Sequence, residues 1–373
     1  MNAGACLLDS VLQSPARARD LSLPEWETVI LQARTSRLIG RLAHELLSAG
    51  LAEVVPAQVW RHLASADQLV KEQHRSLDYE LEMLRDTLRA LDIPVVLLKG
   101  GAYVLRGLDA GHGRTFSDID ILVPQSHLAQ VEAALMLEGW VSEHRDAYDQ
   151  RYYRQWMHEI PPMTHIRRGT TLDVHHALTP STSRIRADSA RMLESAQRVP
   201  GYEPFMTLRP ADMVLHSATH LFLESELHSG LRDLFDLAAL FTEFRRGNPD
   251  FDRVVTERAL EVGLERPLFY ASRYLNRLLG LEFDAAVLAP IEAKGPAWPL
   301  LPLMDALFSR ALAPRHESCT DALTPLALFL LYVRGHWLRM PLPLLIWHLS
   351  RKAIVTRLKK NDNDEHNKPA TNA

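Results

Sequence analysis

The amino-acid sequence predicts an α+β chain with a small α/β unit set between two helical regions. Three observations carry this. Leu77, Leu81, Leu84, Leu88 and Leu91 recur at helical spacing just before Pro94. Between Val95 and Leu178 the chain breaks into short aliphatic or alternating runs punctuated by glycine and proline. From about residue 185 long helical patterns return. The expected organisation is an N-terminal helical region (1–90), an α/β core (91–185), a C-terminal helical domain (186–360) and a polar, disordered tail (361–373).

The bulk properties suit a globular protein. The 373 residues allow roughly two or three compact units. A net charge of −4 excludes an overall basic field that would draw the chain to nucleic acid. Cys6 and Cys319 stand far apart in the sequence, in no metal-like spacing, so no disulfide framework is expected and a reducing cytoplasm fits. The first residues show no basic leader followed by a long apolar core, so no signal peptide is read. No apolar run reaches the ~18 residues a membrane span needs. The nearest approach begins at Leu323 and is broken by Arg334, His336 and Arg339. It reads as a buried helix pair. The rival reading is peripheral membrane contact, with Trp337 and Trp347 in the interface and Arg351, Lys352, Arg357, Lys359 and Lys360 near lipid phosphates.

Within the first 90 residues the leucine row marks one helix face, which calls for a core to cover it. Pro94 stops the helix, "PVVLLKG" reads as a short buried strand ending at Gly100, and Ala102–Gly107 as a short helix. Asp109, Gly111 and Gly113 mark a loop. "DIDILV" alternates carboxylates with aliphatics at the strand period and stops at Pro124. An amphipathic helix follows, with Ser126 as its expected cap and Gly139 at its end. Further strands are expected around Trp140–His144, Tyr152–Met157 and Met163–Arg167, and in "TTLDVHHAL". The aromatic and basic stretch around Arg151–Trp156 is read as a strand with one wet face rather than as a base-stacking surface. Arg209-Pro210 opens the first long helix of the C-terminal region, with Pro210 in its first turn.

The chemistry concentrates on acids. Residues i and i+2 of a strand share a face, so Asp118 and Asp120 project together. Two such carboxylates repel unless a cation lies between them, and Mg²⁺ suits carboxylate oxygens. Asp173 is a third candidate from another strand. Gly100 and Gly101 lie at a strand-to-helix turn, where bare backbone can approach a phosphate. Lys99 adds a positive charge there, and Arg114 could contact a triphosphate or pair with a carboxylate.

Lys99-Gly100-Gly101, Arg114, Ser117-Asp118-Ile119-Asp120, Gly139-Trp140 and Leu172-Asp173-Val174-His175 together resemble the bacterial nucleotidyltransferases of the DNA polymerase β-like superfamily. The likeness is to the branch described as uncharacterised nucleotidyltransferases, with members in polysaccharide and other biosynthetic clusters. It spans roughly residues 90–180. The resemblance implies a small mixed β-sheet backed by helices. It also implies two Mg²⁺ ions (Mn²⁺ as an alternative) held by Asp118, Asp120 and Asp173, and transfer of a nucleoside monophosphate from an NTP to an acceptor. Lys99, Gly100, Gly101, Arg114 and Ser117 then become the nucleotide-binding residues. The superfamily usually carries Gly-Ser where this chain has Gly100-Gly101, so backbone amides, Ser117 or Lys99 must replace the hydroxyl. The acceptor stays open: a sugar phosphate or other small intermediate, a protein side chain or, less in keeping with the charge, a nucleic-acid end.

His175 should share the face of Asp173, bonding to it or orienting a substrate phosphate. His216 and His220 stand one helical turn apart, a spacing that could hold zinc in a metal-dependent hydrolase. The preferred reading is a polar seam with Arg232 paired to Asp233, Asp236 or Glu224, and with His220 and Arg232 holding the acceptor or base. A third reading keeps the fold as a binding scaffold without turnover.

Overall fold

The computed structural model describes residues 6–142 and 147–341. The N-terminal region is helical as expected: α1 (Leu7–Gln13), α2 (Leu23–Thr35), α3 (Ile39–Ser48) and the long α4 (Ala57–Arg89). A capping box between Ser22 and Glu25 opens α2 and satisfies orphan N–H groups at its start. Leu77, Leu81, Leu84 and Leu88 of α4 are buried in the core that also holds the sheet, and Leu91 packs against it half-buried. Helices α1–α3 build a second apolar cluster, closed by Leu231 and Phe235 from the C-terminal region.

The chain then lays down β1 (Val95–Leu97), α5 (Lys99–Leu105), β2 (Asp118–Leu122), α6 (Leu128–Leu137) and β3 (Trp140–Ser142). Next come α7 (Ala147–Trp156), β4 (Met163–His165), β5 (Thr171–His175), α8 (Ser189–Glu194), β6 (Gln197–Arg198) and β7 (Phe205–Thr207). The strands form one mixed sheet in the order β3-β4-β5-β2-β1-β7-β6. Strand β2 runs antiparallel to β1 and parallel to β5. Val95, Val96 and Leu97 are fully buried, the signature of a strand covered on both faces.

The C-terminal region supplies α9 (Pro210–Leu223), α10 (Gly230–Gly247), α11 (Phe251–Val262) and α12 (Glu265–Leu279). It continues with α13 (Ala285–Glu292), α14 (Leu300–Ala311) and α15 (Thr324–Arg339). Pro210 opens α9 as expected. Leu215, Phe222 and Leu237 from these helices join Val96, Ile121 and Val174 of the sheet in one continuous core.

Three expectations change. The stretch around Tyr152–Met157 is helix α7 up to Trp156, not a strand. It has no β-branched residue, and Arg151 to Gln155 and Arg154 to Gln150 pair one turn apart, as a helix allows. Arg154 also pairs with Glu132 on α6. Ser126 does not cap α6: it lies in a short 3₁₀ turn over Gln125–His127, and its hydroxyl meets His127 Nδ1. The sheet does not end at residue 185, because β7 pairs in parallel with β1 (Val95 opposite Phe205) and β6 pairs with β7. Those strands are two and three residues long, too short to show an alternation. Cys6 and Cys319, distant in sequence, lie with their sulfur atoms 2.7 Å apart as free thiols.

No helix among the described residues is long and apolar enough to cross a membrane. The second half of the suspected membrane-contact segment and the polar tail lie outside the described residues.

Candidate functional site

The parallel register of β2 and β5 sets Asp118 opposite Thr171 and Asp120 opposite Asp173. Neighbouring strands are ~4.8 Å apart, so opposed residues on one face bring their side chains together. One carboxylate oxygen each from Asp118, Asp120 and Asp173 lies within 4.8 Å of the others. Oδ1 of Asp173 is buried and has no hydrogen-bond partner. An oxygen-only donor set with an orphaned carboxylate oxygen fits Mg²⁺ or Mn²⁺. The three residues singled out in the sequence thus converge.

The electrostatics divide the two central acids. Burial would raise the Asp120 carboxyl, but Lys99 and His175 hold it well below the usual range. Lys99 Nζ donates to Asp120 Oδ1 at 2.7 Å, and His175 Nε2 meets the same oxygen at 3.1 Å. Burial would likewise lower the Lys99 ammonium, yet the charge of Asp120 outweighs it and keeps the group protonated. Asp173 has no such partner. Burial first, and then the charges of Asp120, Glu159 and Asp118, push its carboxyl up to about 7.

Lys99 reaches Asp120 from an unusual backbone. Its φ is +47°, in the left-handed region that a side chain with a Cβ rarely adopts. Such strain is kept where surrounding contacts over-determine it, and here it aims the ammonium at the acids.

The glycines that follow have packing roles. Both are buried. A Cβ placed on Gly100 would fall 2.9 Å from Cζ of Arg114, and closer still to Nη1. One on Gly101 would fall 2.9 Å from Cδ2 of Leu97. Arg114 lies flat against Gly100 because its guanidinium is committed elsewhere: Nε donates to Asp236 at 2.6 Å, and Asp233 is 4.0 Å away. Of the two roles open to Arg114 in the sequence, carboxylate pairing is the one seen. Asp236 also meets Arg41 at 3.4 Å. Ser117 is exposed and donates to Asp118 Oδ1 at 3.0 Å.

His175 differs from expectation in its partner. Its Nε2 bonds to Asp120 across the strand pair rather than to Asp173 on its own strand, because the ring reaches diagonally to the neighbour. Asp120 and Glu159 raise His175 above the ordinary imidazole value against the opposing effect of burial. His216 and His220 are held neutral by burial, His216 at about 3. Among the described residues, neither belongs to a group of three metal-capable side chains. The seam reading fits them better: Arg232 binds Asp233 at 2.7 Å, and His220 Nδ1 lies 4.0 Å from the same carboxylate.

A cavity of about 370 Å³ opens over this ground, lined among others by Asp118, Asp173, Lys99, His220 and Arg232. That is the scale of a small-molecule site. Three further lining residues, Arg37, Glu159 and Arg339, carry no sequence signal of a site. Each comes from a different segment of the chain, and no local motif marks any of them. Arg339 is bonded to Glu224, another wall residue.

A family model described as uncharacterised nucleotidyltransferase matches residues 22–280. No curated protein matches the chain.

Proposed function

Because the chain belongs to the uncharacterised nucleotidyltransferase family, we propose that it transfers a nucleoside monophosphate from an NTP to an acceptor, with divalent cations held by Asp118, Asp120 and Asp173. The observation that carries the reading is the meeting of three carboxylates from two parallel strands, one with an orphaned oxygen, at the wall of a cavity lined by Lys99, Arg37, Arg232 and Arg339. Mg²⁺ bound there would offset the charge of the triphosphate and polarise the transferred phosphorus.

The protein's own groups divide the remaining work. Lys99 keeps Asp120 ionised and presents an ammonium to incoming phosphate oxygens. Asp173 would bind the catalytic cation and help to activate the acceptor hydroxyl, its buried Oδ1 having no other partner. Arg232 and His220 face the same cavity and bind the acceptor or the base. Pyrophosphate leaves toward the basic wall. Catalysis rests on positioning and on charge set in place beforehand.

The test is incubation with each α-labelled NTP, Mg²⁺ and a cell extract, following label and pyrophosphate. Label carried to a discrete acceptor with matching pyrophosphate, both abolished by Asp120→Asn, supports the proposal. Metal-dependent NTP binding with no pyrophosphate in any extract supports the non-catalytic scaffold instead. Binding unaffected by Asp118→Asn and Asp120→Asn together removes the metal-centred reading altogether.

A further inference from the structure

Next to the carboxylate triad lies a second group of metal-capable side chains, joined to it only where His175 meets Asp120. His158, Glu159 and His175 each offer a ligand atom within 4.8 Å of the others. The backbone holds them there. Glu159 forms an isolated β-bridge with His175, Ile160 N–H donates to Val174 O, and His176 N–H donates to His158 O at 2.8 Å. The three side chains are therefore carried by paired backbone rather than by a free loop, and the two imidazoles lie with ring centroids 5.2 Å apart.

Their hydrogen bonding is incomplete. His175 is 3% exposed, and its Nε2 is engaged with Asp120. Its other nitrogen, Nδ1, is buried with no hydrogen-bond partner, and so is Nδ1 of His158. Glu159 Oε2 stands 3.4 Å from His175 Nδ1 without forming a hydrogen bond to it. In the neutral imidazole, with Nε2–H donated to Asp120, Nδ1 of His175 carries a lone pair, and the group offers two imidazole nitrogens and a carboxylate oxygen within 4.8 Å of one another. Two buried imidazole nitrogens left this way are costly, and a cation satisfies both at once with Glu159 as a third ligand, where a single proton serves only one.

We propose that His158, Glu159 and His175 bind a divalent first-row transition ion, zinc being the best fit, at a site separate from the carboxylate triad. The His₂Glu donor set is borderline in softness and selects such an ion over magnesium. A tetrahedral ion with bonds of roughly 2.1 Å sets its ligand atoms about 3.4 Å apart, and the Glu159–His175 pair already has that separation. Three protein ligands leave a fourth position open to the cavity that Glu159, His158 and His175 help to line. His175 then plays a double part. It ligates through Nδ1 and donates Nε2–H to Asp120, the carboxylate–histidine–metal arrangement that fixes a tautomer and couples this ion to the triad.

Cobalt(II) is the probe, added to metal-stripped full-length protein in saturating Mg²⁺ so that the oxygen-only triad is filled. Stoichiometric uptake with a visible d–d spectrum of nitrogen and oxygen ligation, competed away by Zn²⁺, is expected. His158→Gln and Glu159→Gln should each lower the Co²⁺ affinity by roughly tenfold or more, whereas Asp118→Asn should leave it within about threefold of wild type. Circular dichroism checks that each variant is folded. If one variant does not fold, the other still decides, and so does the wild-type spectrum. Absence of Co²⁺ uptake by the wild-type protein, affinity unchanged in both ligand variants, or uptake lost with Asp118→Asn would each overturn the proposal. The proposed nucleotidyl transfer stands or falls separately, on label transfer in Mg²⁺ alone.

Discussion

Gly100→Ala is the sharpest perturbation the structure suggests. The added methyl would sit 2.9 Å from Cζ of Arg114 and closer to Nη1, where an ordinary contact is about 3.5 Å or more. The guanidinium must withdraw by about 1 Å or more to restore that spacing. The 2.6 Å bond from Nε to Asp236 then stretches beyond hydrogen-bond range. Arg114 and Asp236 are both buried, and breaking a buried pair costs about 3–5 kcal/mol because a charge is left without its partner. Alanine returns up to about 1 kcal/mol as the better helix former within α5. The net loss is about 2–4 kcal/mol. An unfolding entropy of about 2.1 cal/mol/K per residue over 373 residues turns this into a fall in Tm of about 3–5 °C. Urea and thermal unfolding of a double-mutant cycle provide the assay. With Arg114→Ala already in place, Gly100→Ala should cost nothing or stabilise slightly, since the group it displaces is gone. An equal penalty in both backgrounds would refute the reasoning and place the strain in the backbone of α5.

Three further outcomes are expected. Asp173 titrates near pH 7 in the folded protein and near 3.9 unfolded, so the folded state holds the extra proton between those values and stability from this group falls as pH rises through that window. Urea unfolding of metal-free protein should therefore show a pH slope more negative than that of Asp173→Asn, by up to about 1.4 kcal/mol per pH unit. Asp9, which burial also pushes up to about 7, contributes equally to both proteins, so matching slopes would contradict the assignment. Gly113→Ala should destabilise by more than about 2 kcal/mol in chemical denaturation, because φ there is +65° and a Cβ would stand 2.5 Å from the Gly40 carbonyl oxygen and from Arg41 Cα. A mild two-electron thiol oxidant should join Cys6 to Cys319 within one chain, detected as the mass loss of two hydrogen atoms and a raised Tm that Cys319→Ser removes.

Much of the site was legible in the sequence because strand period is a local property. "DIDIL" alternates, so Asp118 and Asp120 had to share a face, and "TLDVH" does the same for Asp173 and His175. The leucine row of α4 declared a buried face for the same reason, at the helical period. Other features depended on what lies across space. Nothing in Arg114's own neighbourhood names Asp236 as its partner, 122 residues away. Gly100 looked like room for a phosphate, and what fills the room is that arginine. Tyr152–Trp156 alternates well enough for a strand, but contact with Glu132 and pairing one turn apart select a helix. Strand β7 is three residues of chain whose identity comes from the edge of β1 that receives it. The sequence by itself determined which residues face together within each element, because that follows from backbone geometry over a few residues. Only the tertiary structure decided which faces meet, that Asp120 is held ionised while Asp173 is not, and that His158 and Glu159 stand beside His175, because burial and charge belong to the assembled surroundings and not to any stretch of chain.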